Sequence, residues 1–161
     1  SFLSFVVAIA FTNHTLTPLR PWTADISIIS PQNTCSIDNS ILEKLEKNPI
    51  VNAAYGRMFS YDVPTTVNDD SVTLDIISYE QKQFDWAKDY LLQGSIKVVQ
   101  NEVNTGLIVY SPENNIEVGD TVNCRIGEKS TEIQIVGILS DCPFNTTSNG
   151  ILICSENTFQ K

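Results

Sequence analysis

The chain has 161 residues, a formal net charge of -9, 42% hydrophobic residues and 18% charged residues. That is the length of one domain, or of one domain with a small inserted lobe, and it is too apolar for a disordered chain. The acidic balance excludes a nucleic-acid-binding role, because phosphates need basic partners, and it excludes tight adsorption to an anionic lipid surface.

The run from Phe2 to Phe11 is the longest apolar stretch. It is well short of the ~20 residues that span a bilayer, and it has no basic flank of the kind a signal peptide carries. Two readings stand for residues 2–11: a buried strand, or the outer end of a transmembrane helix. After Pro18, Pro21 and Trp22, the segment Asp25–Ile29 reads as a strand. Ser36 is placed to cap a helix with Asp38 in its first turn. Ile37, Ile41, Leu42 and Leu45 share one face of that helix, with Glu43, Lys44, Glu46 and Lys47 opposite. Asn48-Pro49 stops it, and Val51–Tyr61 reads as a returning strand. Strand, helix and strand together form a βαβ-type unit.

Val63–Val67 and Val72–Ile77 predict a hairpin around the turn cluster Asn68-Asp69-Asp70-Ser71. Gln81–Leu92 predicts one helix with Phe84, Ala87 and Leu91 inward, ended by Gly94 in the left-handed region. Ile96–Val103 reads as a connector, Gly106–Tyr110 as a short apolar strand, and Ser111–Asn115 as a loop. Gly119-Asp120 is turn chemistry. Val122, Cys124 and Ile126 alternate with polar residues, as do Ile133, Ile135 and Gly137, and period two marks half-buried strands. Gly127-Glu128-Lys129-Ser130 forms the turn between them. Ile151–Cys154 is a final strand, and Ser155 caps a helix that follows.

The order of these blocks resembles the extracytoplasmic domain of ABC transporter permeases of the macrolide-exporter and lipoprotein-release class. The matching residues are Asp25–Ile29, Ile41–Val51 with its Asn48-Pro49 stop, Leu91-Leu92-Gln93-Gly94, Gly106–Ser111, the Val118-Gly119-Asp120 turn and the Val136-Gly137-Ile138-Leu139 strand. Together they run from about Ala24 to Lys161. Three features depart from the family pattern. Ser95 follows Gly94 where the family has arginine. Ser111–Asn115 is short and broken by proline where the family has a helix. The family's closing helix and strand would lie beyond Lys161, so the chain reads as part of a longer membrane protein.

The resemblance implies an α+β fold with mixed sheets: a βαβ-type porter-like lobe, about 23–62 and 120–161, and a small inserted α/β lobe, about 63–119. It implies a non-catalytic domain on the extracytoplasmic face of the cell membrane, serving export of peptide, antibiotic or lipoprotein cargo or transmembrane conformational coupling. The implied partners are a cytoplasmic ABC ATPase subunit reached through transmembrane segments, a second permease in a dimer, and an extracytoplasmic cargo or adaptor protein. A stand-alone secreted or surface-anchored module binding a ligand or peptide is the alternative.

Reaction chemistry is sparse in the sequence. His14 is the sole histidine, and a Ser-His-Asp or Cys-His relay would have to use it. No GxSxG, HExxH, P-loop or GxGxxG motif occurs, so neither a catalytic site nor a cofactor is expected. The four cysteines form no CxxC pair, which disfavours a closed zinc site. Cys124, Cys142 and Cys154 fall near predicted neighbouring strands, and two readings stand for them: a disulfide, or buried free thiols. Asp69-Asp70 reads as a solvated turn, and Asp85 and Asp89 with Lys82 and Lys88 as a solvated helix face. Asn13-His14-Thr15 and Asn145-Thr146-Thr147 fit the glycosylation pattern. Trp86, Tyr90 and Tyr61 are the candidates for a partner or cargo surface, since Trp86 lies off the inward stripe and such aromatics are enriched at binding hot spots.

Overall fold

The computed structural model describes residues 38–140 and 150–160. The chain divides into two compact units, Ser1–Gly56 and Arg57–Lys161. Asp25–Ile29, Ile37, the cap at Ser36, His14, Cys35, Cys142 and both glycosylation patterns lie outside the described residues.

In the first unit the predicted helix is present as α1, Asn39–Glu46. Asp38 caps it, accepting from the Ser40 N–H at 2.7 Å, and that bond holds its carboxyl below the usual value. Leu42 and Leu45 are half-buried and Ile41 is exposed.

The second unit is dominated by sheet. β1 (Phe59–Val67) and β2 (Asp70–Tyr79) form the predicted hairpin. Its turn is the pair Asn68-Asp69, both at positive φ, 49° and 67°, which matches the right-handed twist of the flanking strands. A short helix, α2 (Phe84–Ala87), sits between single 3-10 turns at Gln81–Gln83 and Lys88–Tyr90. Then follow β3 (Leu91–Gly94), α3 (Ile96–Asn101), β4 (Thr105–Val109), β5 (Thr121–Ile126), β6 (Lys129–Leu139), β7 (Ile151–Ser155) and α4 (Glu156–Phe159).

Strand order is β3-β6-β4-β7-β2-β1-β5, with β5 also paired to β6. Six strands, β1-β2-β7-β4-β6-β5, therefore close on themselves as a small barrel, and closure removes the exposed edges an open sheet would leave. β2 runs parallel to β7 and β4 parallel to β6, whereas β4 and β7 are antiparallel, so the sheet is mixed. The strands of the two sequence halves are interleaved only at β7 and β4, with β7 between β2 and β4 and β4 between β7 and β6.

Period two decides which side chains fill the interior. Val63, Val67, Leu74, Ile76, Val122, Cys124, Ile133, Ile135, Ile108, Leu152 and Cys154 form one buried cluster. The alternate residues Leu107, Val109, Ile153 and Tyr79 face outward and are buried as well. There α3 packs against β4, β6 and β7, and Phe84 of α2 meets the Tyr79 ring edge to face at 5.5 Å.

One irregularity makes this two-layer arrangement work. Gly106 pairs Ile135 and Leu107 pairs Gly137, so Val136 is an extra residue, a β-bulge. The bulge switches faces along β6. Ile133 and Ile135 point into the barrel before it, Ile138 packs on the same interior cluster after it, and Leu139 is buried beside it in sequence. The Gly119-Asp120 turn clamps the bulge. Gly119 N–H donates to the Ile135 carbonyl and Ile135 N–H donates to the Asp120 carbonyl, each at 2.8 Å. The Asp120 carboxylate accepts from the Glu117 N–H at 2.9 Å. At the next residue the edge of β6 passes from β5 to β3, and Ser95 N–H donates to the Val136 carbonyl at 2.9 Å.

Three local expectations are corrected. Gln81–Leu92 is not one helix: the chain leaves the helical path after Tyr90 because Leu91–Gly94 pairs with Leu139, Ile138 and Gly137 of β6. Ile96–Val103 is not a plain connector but carries α3, whose Ile96 and Val99 are buried. Val51–Tyr61 is a strand only from Phe59 onward.

Candidate functional site

Two features of the second unit can bind something: its exposed aromatic residues and the open end of its barrel.

Tyr61 is 58% exposed and Phe59 47% exposed on β1. Their rings stack with centroids 5.8 Å apart. Tyr61 itself lies in the bulge between Ser60 and Val63, where Asp62 takes a φ of 50° and donates its N–H to the Asp75 carboxylate at 2.9 Å. β5 meets β1 only at Thr65 and Thr66, so the aromatic pair stands outside the closed part of the ladder. Trp86 and Tyr90 are half-buried around α2. Tyr90 lies next to Leu91, which pairs with Leu139, whereas Phe59 pairs with Ile77. Following the registers through β7, β4 and β6 brings Phe59 level with Gly137, two residues from Leu139, so the two positions differ little in height along the strands and are separated by standing on strands that are not neighbours. The three aromatics singled out by sequence thus stand on three elements, Tyr61 on β1, Trp86 on α2 and Tyr90 just before β3. Tyr110, 50% exposed, joins the Tyr90 end, where Tyr110 N–H and Ser140 N–H donate to the Leu139 and Tyr90 carbonyls.

At the Tyr79 end, Arg57 lies over the Tyr79 ring, 4.7 Å from its centroid. Burial lowers its guanidinium pKa and Tyr79 opposes that shift. Glu156 is raised by burial and by the charge of Glu80.

The same end of the barrel holds a cavity of about 150 Å³. Ile76, Cys124, Ile133 and Cys154 line its depth, and Ile126, Phe159, Lys129, Thr131, Thr158 and Gln160 line its opening. α4 positions Phe159 and Thr158 because Ser155 caps it, accepting from the Thr158 N–H at 3.3 Å. The Thr158 hydroxyl is committed to the Asn104 N–H at 3.0 Å. Gln160 Nε2 reaches Met58 Sδ at 4.0 Å.

Cys124 and Cys154 are free thiols with no exposed surface. Burial pushes both up, Cys154 to about 12, with the neighbouring thiol adding to the Cys154 shift. The Thr65 hydroxyl approaches Cys124 Sγ at 3.7 Å. Both thiols are thus neutral walls of the cavity near neutral pH. They stand on β5 and β7, which are not neighbours in the sheet.

Among the described residues, no group of three His, Cys, Asp or Glu side chains is placed to hold a metal ion. Asp69 and Asp70 are exposed at the hairpin turn. Lys88 and Asp85 form an exposed ion pair at 2.5 Å. Among the described residues no helix is long and apolar enough to cross a membrane. The cavity was not foreseen from sequence. Its signal was present in the interior-facing Cys124 and Cys154, which are smaller than the isoleucines and leucines around them.

No family model matches the chain, and no curated protein matches it. The fold, by contrast, has solved counterparts. A domain assigned to a permease protein from Porphyromonas gingivalis superposes with a TM-score of 0.54 at 16% identity, covering 72% of this chain and 50% of that one. The extracellular domain of the noncanonic ABC-type transporter YknZ from Gram-positive bacteria superposes with a TM-score of 0.55 at 10% identity, covering 78% of this chain and 65% of that one. The chain thus spans about half and just under two thirds of the length of these structures, and it shares their mixed, sheet-dominated fold.

Proposed function

We propose that this chain is a non-catalytic extracytoplasmic domain of an ABC transporter permease, acting in export or in transmembrane conformational coupling. The observation that carries the reading is the agreement of its fold with a domain of a permease protein and with the extracellular domain of an ABC-type transporter. The order of motifs along the sequence supports it independently. In this reading, membrane-spanning segments outside residues 1–161 join the domain to a cytoplasmic ATPase subunit, the permease works as a dimer, and the cargo is a peptide, an antibiotic or a lipoprotein. The closed barrel suits a lever. A sheet whose six strands close on themselves resists shear, so a displacement applied at one end reaches the other as a rigid-body movement. The exposed Tyr61 and the Trp86–Tyr90 region then offer aromatic surface for cargo or an adaptor.

The experiment is to read the hydropathy of the full reading frame on either side of residues 1 and 161. The reading expects one membrane span shortly upstream and several downstream. A soluble protein with a cleaved leader and no spans would overturn it.

The barrel cavity favours a second reading, a secreted or surface-anchored module that binds a small ligand or peptide. That same reading frame separates the two.

A further inference from the structure

The cavity at the barrel mouth combines three properties that together select a ligand. Its volume, about 150 Å³, has room for a molecule of roughly six carbon atoms, and it is open to solvent at its mouth. Its depth offers aliphatic side chains and two neutral thiols. Its opening carries one charged side chain, Lys129, and no carboxylate is among its lining residues. That contrasts with a chain whose net charge is -9.

The remaining polar groups at the opening narrow the choice. Thr158 has partners within the fold, and Gln160 gives one amide N–H to Met58, so Lys129 is the one charged group that faces a ligand's head. An ammonium is an acceptor's partner with three donors and no acceptor of its own, so the head it selects is an anion. Lys129 opens β6 beside the Gly127-Glu128 turn and pairs with Ile126. Its main chain is therefore fixed while its side chain lies at the surface.

We propose that the barrel mouth binds a small carboxylate with a short apolar tail, the tail among Ile76, Ile133, Cys124 and Cys154 and the carboxylate on Lys129. Filling the cavity returns the dispersion contacts that its lining residues lack when it is empty. The ion pair fixes which end of the ligand enters first. This assignment stands apart from the permease reading and holds or fails without it.

The test is titration of the 161-residue chain with hexanoate, followed by amide chemical shifts, with hexylamine as the control of equal tail and opposite charge. Hexanoate is expected to give saturable shifts centred on Cys124, Ile133 and Cys154, and to bind about tenfold more tightly than hexylamine. Lys129→Gln weakens hexanoate about three- to tenfold and leaves hexylamine no weaker than before, since it removes a like charge. Thr131→Phe plugs the opening and abolishes both. Absence of saturable shifts at the lining residues would overturn the proposal, as would equal affinity for the two probes, or hexanoate binding untouched by Lys129→Gln. If Thr131→Phe does not fold, Lys129→Gln decides alone, because that side chain is exposed.

Discussion

Single residues fix the places where this fold bends, and glycine positions show it best. At Gly94 the φ is 93°, and an added Cβ would lie 2.2 Å from the Val136 carbonyl oxygen and 2.5 Å from Gly137 Cα, both main-chain atoms that cannot swing away. At Gly119 the φ is 102°, yet nothing lies within 4 Å of the same added atom. Gly119→Ala is thus expected to cost only the backbone strain, about 1–2 kcal/mol. Gly94→Ala adds a collision to that strain and is expected to cost about 3 kcal/mol or more. Urea denaturation of the two variants checks the ranking, and equal losses would contradict it. The thiols give a second residue-scale prediction. Cys154 ionises at about 12 in the folded chain against an ordinary 9.0. Between those values the folded state holds the proton and the unfolded state releases it. The contribution is therefore complete below pH 9 and is lost as pH rises towards 12, by up to about 1.4 kcal/mol per pH unit. Urea midpoints measured from pH 8 to 11 should fall more steeply for the native chain than for Cys154→Ala.

Elements in this molecule are set partly by local pattern and partly by partners far away in sequence. The β1–β2 and β5–β6 hairpins were legible because Val63, Val67, Leu74 and Ile76, and then Val122, Cys124, Ile133 and Ile135, alternate with polar residues around turn chemistry. The helix cap at Ser155 was legible for a similar local reason. The stretch Gln81–Leu92 was not. Phe84 and Ala87 fit a helical stripe and are buried, but Leu91–Gly94 gains more as an edge strand on β6 than as a further helical turn, and only the position of β6 reveals that. Closure of the barrel was equally hidden, since it rests on the two pairs Thr65–Cys124 and Thr66–Asn123 between strands distant in sequence. The bulge at Val136 is the element-scale device on which the layers depend. Deleting Val136 joins Ile135 directly to Gly137, so Gly137, Ile138 and Leu139 keep their faces in a regular strand, and what is lost is the kink and the carbonyl that accepts from the Ser95 N–H. The variant is expected to fold and to lose about 1–2 kcal/mol, visible as a lowered thermal midpoint. A deletion that leaves the midpoint unchanged would mean that neither the kink nor that hydrogen bond contributes to stability.

The whole molecule joins a closed sheet with two buried layers to an acidic surface, and its fold matches solved domains that are only 16% and 10% identical to it in sequence. Of the candidate site, sequence supplied Tyr61, Trp86 and Tyr90 as aromatic surface, whereas the cavity lined by Cys124 and Cys154 follows only from topology. The central claim concerns where the domain resides: outside the cell membrane, attached to a protein that spans it. The direct measurement places Glu128→Cys, at the exposed tip of the β5–β6 hairpin, in the full-length protein with Cys35 and Cys142 changed to serine. Intact cells are then treated with a membrane-impermeant maleimide. The account predicts labelling of a membrane-bound protein before lysis. Labelling only after lysis, or recovery of the protein in the soluble fraction, would contradict it.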